Sequence, residues 1–220
     1  MEFDLSLVYN SIPLLLKGAG VTLEITALAV GFGLILGLFL GLGQLSKRSF
    51  FRWPCKVYVD VIRGTPLLVQ IFIIYFALPN IIGHRIDPFV AAVVACSINS
   101  GAYVAEIFRA GIQSISLGQM RAGLSLGMTG AQTMRYIILP QAIKRIIPPL
   151  GNEFIAMLKD SSLVSVIGFE ELTRSGQLII AETYATMEIW TCVAILYLVM
   201  TLTITQIVGV LERRLRLVER

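Results

Sequence analysis

Charge is scarce in this sequence. Only 15% of its 220 residues are Asp, Glu, Lys or Arg, against 56% hydrophobic, whereas a soluble domain carries about 25% charged residues. The deficit excludes an ordinary water-soluble domain and leaves room for about five membrane spans of ~20 residues joined by short loops. Histidine is almost absent: His84 stands alone, so no metal site is expected. The three cysteines, Cys55, Cys96 and Cys192, are odd in number, widely spaced and set in or beside apolar stretches. Neither a disulfide framework nor a metal spacing emerges, and they read as core residues. There is no GxxxxGK(S/T) phosphate loop, so this chain is not expected to bind a nucleotide itself. With one His outside the apolar stretches and no Cys–His pair, no convergent nucleophile and base is found. The N-terminus lacks a positive leader and a cleavage site, so no removable signal peptide is expected.

What the sequence does have is long apolar runs. Residues 1–17 are mildly apolar, are interrupted by Pro13 and read as a short interfacial segment. The first span is expected over Val21–Leu45, where Gly33, Gly37 and Gly41 form a stripe that lets a neighbouring helix approach closely. The second is expected over Val57–Leu78. It carries Asp60, Arg63 and Gln70 on one face, with Asp60 and Arg63 able to neutralise each other. Gly64 and Pro66 should loosen it, as in transporters whose broken helices coordinate solute. The third span, Pro88 to about Ile107, aligns Asn99, Tyr103 and Glu106 on one polar face that should look inward. The fourth, Thr133–Leu158, contains Pro140 and the Pro148–Pro149 pair, which should kink it. Glu153, Met157 and Asp160 recur there at i, i+4 and i+7, and two carboxylates on one face near mid-membrane are the strongest site signal in the chain. Lys159 or Arg174 could neutralise one of them. Ser161–Gly168 reads as a re-entrant stretch, followed by a short surface helix, and the last span is expected over Glu188–Leu211.

The placement of cations orients these spans. Of 18 Lys and Arg, 13 fall in the first loop (Lys47, Arg48, Arg52, Lys56), the Arg109–Arg145 region and the C-terminal tail. Positive residues concentrate on the cytoplasmic side, so the expected fold is an all-α integral membrane protein of five helices, N-terminus outside and C-terminus cytoplasmic. Residues 1–220 then form one transmembrane domain.

One stretch fits neither a span nor a simple turn: SLGQMRAGLSLGMTGAQTMRYIILP, from Ser116 to Pro140. Ser116 with Gln119, and Thr129 with Gln132, each match a capping box. Gly127 is placed as the left-handed residue past a helix C-terminus. The pattern predicts a short helix from about Leu117 to Leu126, a bend at Gly127 and a new helix from about Gly130. Such a knob suits docking into a partner's groove.

The spacing Arg121-Ala122-Gly123, three residues, Gly127, nine residues, Ile137-x-Leu139-Pro140 resembles the EAA loop of ABC importer permeases. The runs RGTPLLVQ (Arg63–Gln70), AYVAEIFRAG (Ala102–Gly111) and KDSSL (Lys159–Leu163) are similar to the polar amino acid uptake subfamily. The resemblance covers about Gly18 to the C-terminus. It departs at Arg121, where the family has Glu, and at Gly123, where it has a second Ala.

This resemblance implies a type I importer fold in a bacterial inner membrane, with residues 116–127 as the cytoplasmic coupling helix and Arg121, Ala122, Gly123, Gly127 and Pro140 as its coupling residues. It implies two copies of an ATPase subunit carrying ATP and Mg²⁺, a second permease protomer (identical or closely related), an extracytoplasmic solute-binding protein, and no nucleic acid. The chain itself would hold no cofactor and would be no enzyme. The polar faces make Asn99, Tyr103, Glu153, Asp160, Ser161, Ser162 and Arg63 the expected solute-binding residues, and the two carboxylates favour a basic amino acid. A neutral polar amino acid such as glutamine, and a passive amino acid channel, are the alternatives; a channel would need a pore ring and no ATPase dock.

Overall fold

A computed structural model describes residues 5–217, with the side chains of 215–217 left aside. Residues 1–4 of the expected interfacial segment and Arg220 of the cationic tail lie outside the described residues. The described residues are helical throughout, without strands: α1 (Leu5–Gln44), α2 (Ser49–Arg63), α3 (Leu67–Phe72), α4 (Leu78–Ile82), α5 (Pro88–Gln113), α6 (Leu117–Ser125), α7 (Gly130–Thr133), α8 (Leu139–Asp160), α9 (Leu172–Thr183) and α10 (Thr186–Leu217). Three helices, α1, α5 and α10, are long and apolar enough to cross a membrane, and the bent pair from Ser49 to Ile82 makes up to four. The stretch expected as the fourth span contains α8, which is 22 residues long but carries Lys144, Arg145, Glu153, Lys159 and Asp160.

The boundary expected near residue 17 is absent. α1 runs unbroken for 40 residues through Pro13, and Ser11 and Leu15 are buried in it. Leu15 and Ala19 pack on Leu172, Ile179, Ile189 and Val193 of α9 and α10, so tertiary burial overrides the local break signal of the proline. The glycine stripe of α1 packs within the chain. A methyl added at Gly37 would sit 2.5 Å from Val104 Cγ1 and 2.8 Å from the Gly101 carbonyl of α5. At these positions only hydrogen fits, which brings the α1 and α5 backbones close.

The second span is broken rather than loosened. α2 and the α3–α4 segment meet at 103°. Thr65 precedes Pro66, which disfavours helical backbone at Thr65, and Pro66 is itself extended at ψ 139°. A π turn at Ile73–Ala77 precedes Pro79, and another at Met134–Ile138 precedes Pro140. In each case the widened turn makes room for a ring that would otherwise meet the carbonyl four residues back. Pro148 and Pro149, by contrast, lie inside the continuous helix α8.

The main core joins α1, α3, α5 and α8 to the 3-10 stretch Ser161–Ile167, through Ile25, Ile71, Ala92, Met157 and Val164. The left-handed Gly168, at φ +79°, turns the chain after that stretch. The helix that follows is not a surface helix: α9 buries Leu172, Ser175, Gly176 and Ile179. Its N-cap is Glu171, which is fully buried. The Glu171 carboxylate accepts from the backbone N–H groups of Thr173 (2.9 Å) and Arg174 (2.7 Å) and from the Tyr197 hydroxyl (3.1 Å). Thr22 of α1 accepts from the Leu172 N–H at 3.1 Å. Three segments far apart in sequence are thus tied at one carboxylate.

Candidate functional site: a polar strip and a protruding helix

The break after α2 is stitched by one side chain. Gln70 Nε2 donates toward the Ile62 carbonyl (2.8 Å), the Thr65 carbonyl (3.1 Å) and Thr65 Oγ1 (2.9 Å). Its Oε1 accepts from Asn99 Nδ2 of α5 at 3.0 Å. The backbone groups freed by Gly64 and Pro66 are therefore met from within the protein, as non-helical backbone at membrane depth requires. The sequence reading put Gln70 on the polar face but gave it no role; its partners lie across the bend and on α5, which spacing along one helix does not disclose.

The bend leaves Arg63 at the end of α2, with its guanidinium 5.2 Å from the Tyr103 ring centre on α5. Asp60 and Arg63 form no ion pair with each other. Arg63 and Tyr103 are both exposed, and the planar guanidinium stacks over the ring. Glu106, one turn beyond Tyr103, is bound by the Arg109 guanidinium through two hydrogen bonds. Glu153 on α8 is 9% exposed. It lies beside Ser100, and the charges close enough to act on it are Asp160 and Arg63. Arg174 turns instead to Gln177, at 3.1 Å.

The structure thus gathers Arg63, Gln70, Asn99, Ser100, Tyr103 and Glu153 along the face of α5 that meets α2, α3 and α8. Asp160 sits two turns further along α8 and is exposed. Ser161 is fully buried, and its hydroxyl donates to the Leu158 carbonyl at 2.8 Å; Ser162 is half-buried. Ser100 went unnoticed in the sequence because a lone Ser in an apolar helix carries no signal of its own.

The second feature is the knob. α6 spans Leu117–Ser125 and buries only Gly123. The N–H groups of Gly127 and Met128 reach the carbonyls of Leu124 (3.0 Å) and Gly123 (3.1 Å), which is the paired pattern of a Schellman C-cap. Gly127 adopts φ +81°. The expected capping box at Ser116 does not form: its Oγ accepts from the Gly118 N–H instead, at 3.2 Å. The box at Thr129 and Gln132 forms in full. A methyl at Gly123 would meet Thr133 Cγ2 at 2.6 Å, so the threonine side chain fills the space that an alanine would need. Ile115, Ile138, Ala142 and Ile146 anchor the base of the knob, and Arg145 donates to the Ser114 carbonyl at 2.7 Å. Arg121 and Ala122 are exposed, as are Leu117 and Leu126 at 74% and 80%. Pro140 lies in the first turn of α8. A helix capped at both ends with apolar residues exposed is a kind of surface that suits docking by another protein.

Comparisons with known proteins give the family. The model of the family described as binding-protein-dependent transport system inner membrane component matches residues 33–217. The chain is 49% identical over 222 residues to the glutamine transport system permease protein GlnP of Escherichia coli, covering 99% of this chain and 100% of that one. It is 42% identical over 216 residues to the arginine transport system permease protein ArtQ of Bacillus subtilis, covering 98% and 99%. A crystal structure of an amino acid ABC transporter with histidines superposes with a TM-score of 0.93 at 48% identity, covering 97% of this chain and 100% of that one. This chain belongs to the family of inner membrane components of binding-protein-dependent transport systems: it is an ABC importer permease.

Proposed function

We propose that this chain is the translocating subunit of an ATP-driven importer of polar, basic L-amino acids. Its partners in this reading are two copies of an ATPase subunit that carry ATP and Mg²⁺, a second permease protomer and an extracytoplasmic solute-binding protein. It sits in a bacterial inner membrane with five spans, its N-terminus outside and its C-terminus and α6 in the cytoplasm. ATP closes the ATPase pair, α6 of each protomer moves with it, and the permease opens outward to receive solute. Hydrolysis returns it inward. Each step rests on contacts that differ between the two states. The exposed, doubly capped α6 supports this coupling role for Arg121, Ala122, Gly123 and Gly127.

The observation that carries the choice of a basic solute is the buried Glu153 carboxylate, set in the polar strip with no ion pair among the described residues. An uncompensated carboxylate at membrane depth is costly, and a cationic side chain on the solute would relieve it. Asn99, Tyr103, Ser162 and Asp160 complete the set on this reading, with Arg63 for the solute carboxylate. A second reading, a neutral polar amino acid, is favoured by the higher identity to the glutamine permease and by the amide pair Gln70–Asn99. Uptake of labelled arginine and glutamine by the reconstituted complex, with and without Glu153→Gln, separates the two. Selective loss of arginine uptake is the expected result. Equal loss for both, or no initial preference for arginine, refutes the basic assignment.

A further inference from the structure

A groove that takes no part in the polar strip runs between α1, α8 and α10. Its volume is ≈ 400 Å³, within the roughly 300–1,000 Å³ usual for small-molecule sites. Its walls are apolar: Leu34 from α1, Leu150 and Phe154 from α8, and Ile204, Ile207 and Leu211 from α10. The two longer walls touch at Gly151, where a methyl would sit 2.5 Å from Val208 Cγ1. Ile207 and Leu211 are exposed, so the groove opens outward and no described segment covers it. One end carries charge. Arg213 and Arg214 follow Leu211 by two and three residues, and the only acid from 200 to 214 is Glu212. Both arginines are exposed, and neither forms an ion pair among the described residues. Arg213 donates from Nε to the Gly209 carbonyl at 3.1 Å, which lays its side chain back along α10. An apolar groove that ends at cations matches a molecule with a hydrocarbon chain and an anionic head. A loop of protein fits it poorly, because its backbone groups would find no polar partner on these walls. A second copy docked through this same face would set arginines against arginines.

We propose that this groove holds one acyl chain of an anionic phospholipid, with Arg213 and Arg214 on its phosphate, and that the bound lipid braces α8. The proposal rests on the cargo and the topology of the preceding reading, which put both arginines at the cytoplasmic surface. Cations at that surface draw anionic headgroups, and the groove adds apolar contact that a headgroup alone does not make. The brace reaches the strip through α8. Phe154 lines the groove and also packs against the main core, and the residue before it is Glu153. A filled groove holds this helix in place against α1 and α10, and an empty one leaves it free to shift.

The test uses the assembled complex, stripped of lipid in detergent and titrated with phosphatidylglycerol or phosphatidylcholine of the same chains, read by native mass spectrometry. The natural complex retains one phosphatidylglycerol per permease chain in preference to phosphatidylcholine. Arg213→Gln and Arg214→Gln each weaken phosphatidylglycerol about fivefold, one cation's share of the attraction to an anionic headgroup, and leave phosphatidylcholine unchanged. Arg214→Lys keeps the preference. Ile207→Trp fills the groove and lowers retention of both lipids. Uptake of labelled glutamine or arginine is higher in vesicles containing phosphatidylglycerol than in phosphatidylcholine alone, and the doubly substituted Arg213→Gln, Arg214→Gln complex loses that difference. Equal retention of the two lipids by the natural complex, or full retention in Ile207→Trp, overturns the proposal. Displacement of the lipid by an equal concentration of glycerol phosphate also overturns it, because the site would then read an anion alone. Identical uptake in the two kinds of vesicle overturns the bracing of α8. Failure of the cargo assignment is distinguishable, since neither amino acid is then taken up in any lipid while phosphatidylglycerol is still retained. Labelling of Arg214→Cys with an impermeant thiol reagent reads the topology separately, with reaction expected from the cytoplasmic side.

Discussion

Gln70 holds the break between α2 and α3, and its removal gives the sharpest test of the fold around the strip. Gln70→Leu keeps the approximate volume and removes every polar contact. It leaves the Ile62 and Thr65 carbonyls and the Asn99 amide without the partners they have at 2.8, 3.1 and 3.0 Å. Gln70 is only 7% exposed, so water is a poor substitute. Each buried polar group left unmet costs about 1–3 kcal/mol. Relaxation of the bend recovers part of that, and a net loss of about 2–4 kcal/mol is expected. For a chain of this size that is a fall in Tm of roughly 4–16 °C, at about 2–4 °C per kcal/mol. Arg63 hangs from the same bend, so transport should fall further than stability alone explains. The assay is thermal unfolding of the purified complex in nanodiscs beside initial uptake in proteoliposomes. A double-mutant cycle with Asn99→Ala should show coupling of about 0.5–3 kcal/mol, because the two amides bond directly. Gln70→Glu should be as harmful as Gln70→Leu, since an ionised carboxylate accepts hydrogen bonds and cannot donate to the carbonyls. Unchanged Tm and uptake in Gln70→Leu would refute the reasoning.

Three further outcomes follow from the same geometry. Gly127→Val places a β-branched residue at φ +81°, which costs roughly 1–3 kcal/mol locally. With the complex still assembled, it should lower transport and solute-stimulated ATP hydrolysis together, and full coupled activity would reject α6 as the transmission element. Arg121→Glu should reduce the yield of assembled complex if Arg121 meets an acidic group on the ATPase; co-purification of the ATPase reads this, and undiminished yield and activity would mark Arg121 as a solvated surface charge. Glu171→Ala removes the N-cap of α9, takes the acceptor from the Thr173 and Arg174 N–H groups and leaves the Tyr197 hydroxyl with Thr173 Oγ1 alone, so a loss of about 2–4 kcal/mol is expected in thermal unfolding. Glu171→Gln should recover part of that loss, because the amide oxygen still caps the helix.

Local rules decided much of this protein before any folding. The spacing of Gly127 from Gly123 and Leu124 is enough to specify the C-cap of α6, because the hydrogen bonds involved span five residues. The box at Thr129 and the apolar runs of α5 and α10 are legible for the same reason: their partners are neighbours in sequence. The glycine stripe announced a close approach without saying to what. Only the tertiary structure decided that Gly37 meets Gly101 and Val104, that Arg63 turns from Asp60 to Tyr103, and that Pro13 sits inside a continuous helix. It also decided that α9 is buried, through a carboxylate held jointly by α9 and Tyr197. A side chain's periodicity fixes which neighbours on its own helix it can meet; which other helix comes to face it depends on the sum of packing across the whole chain.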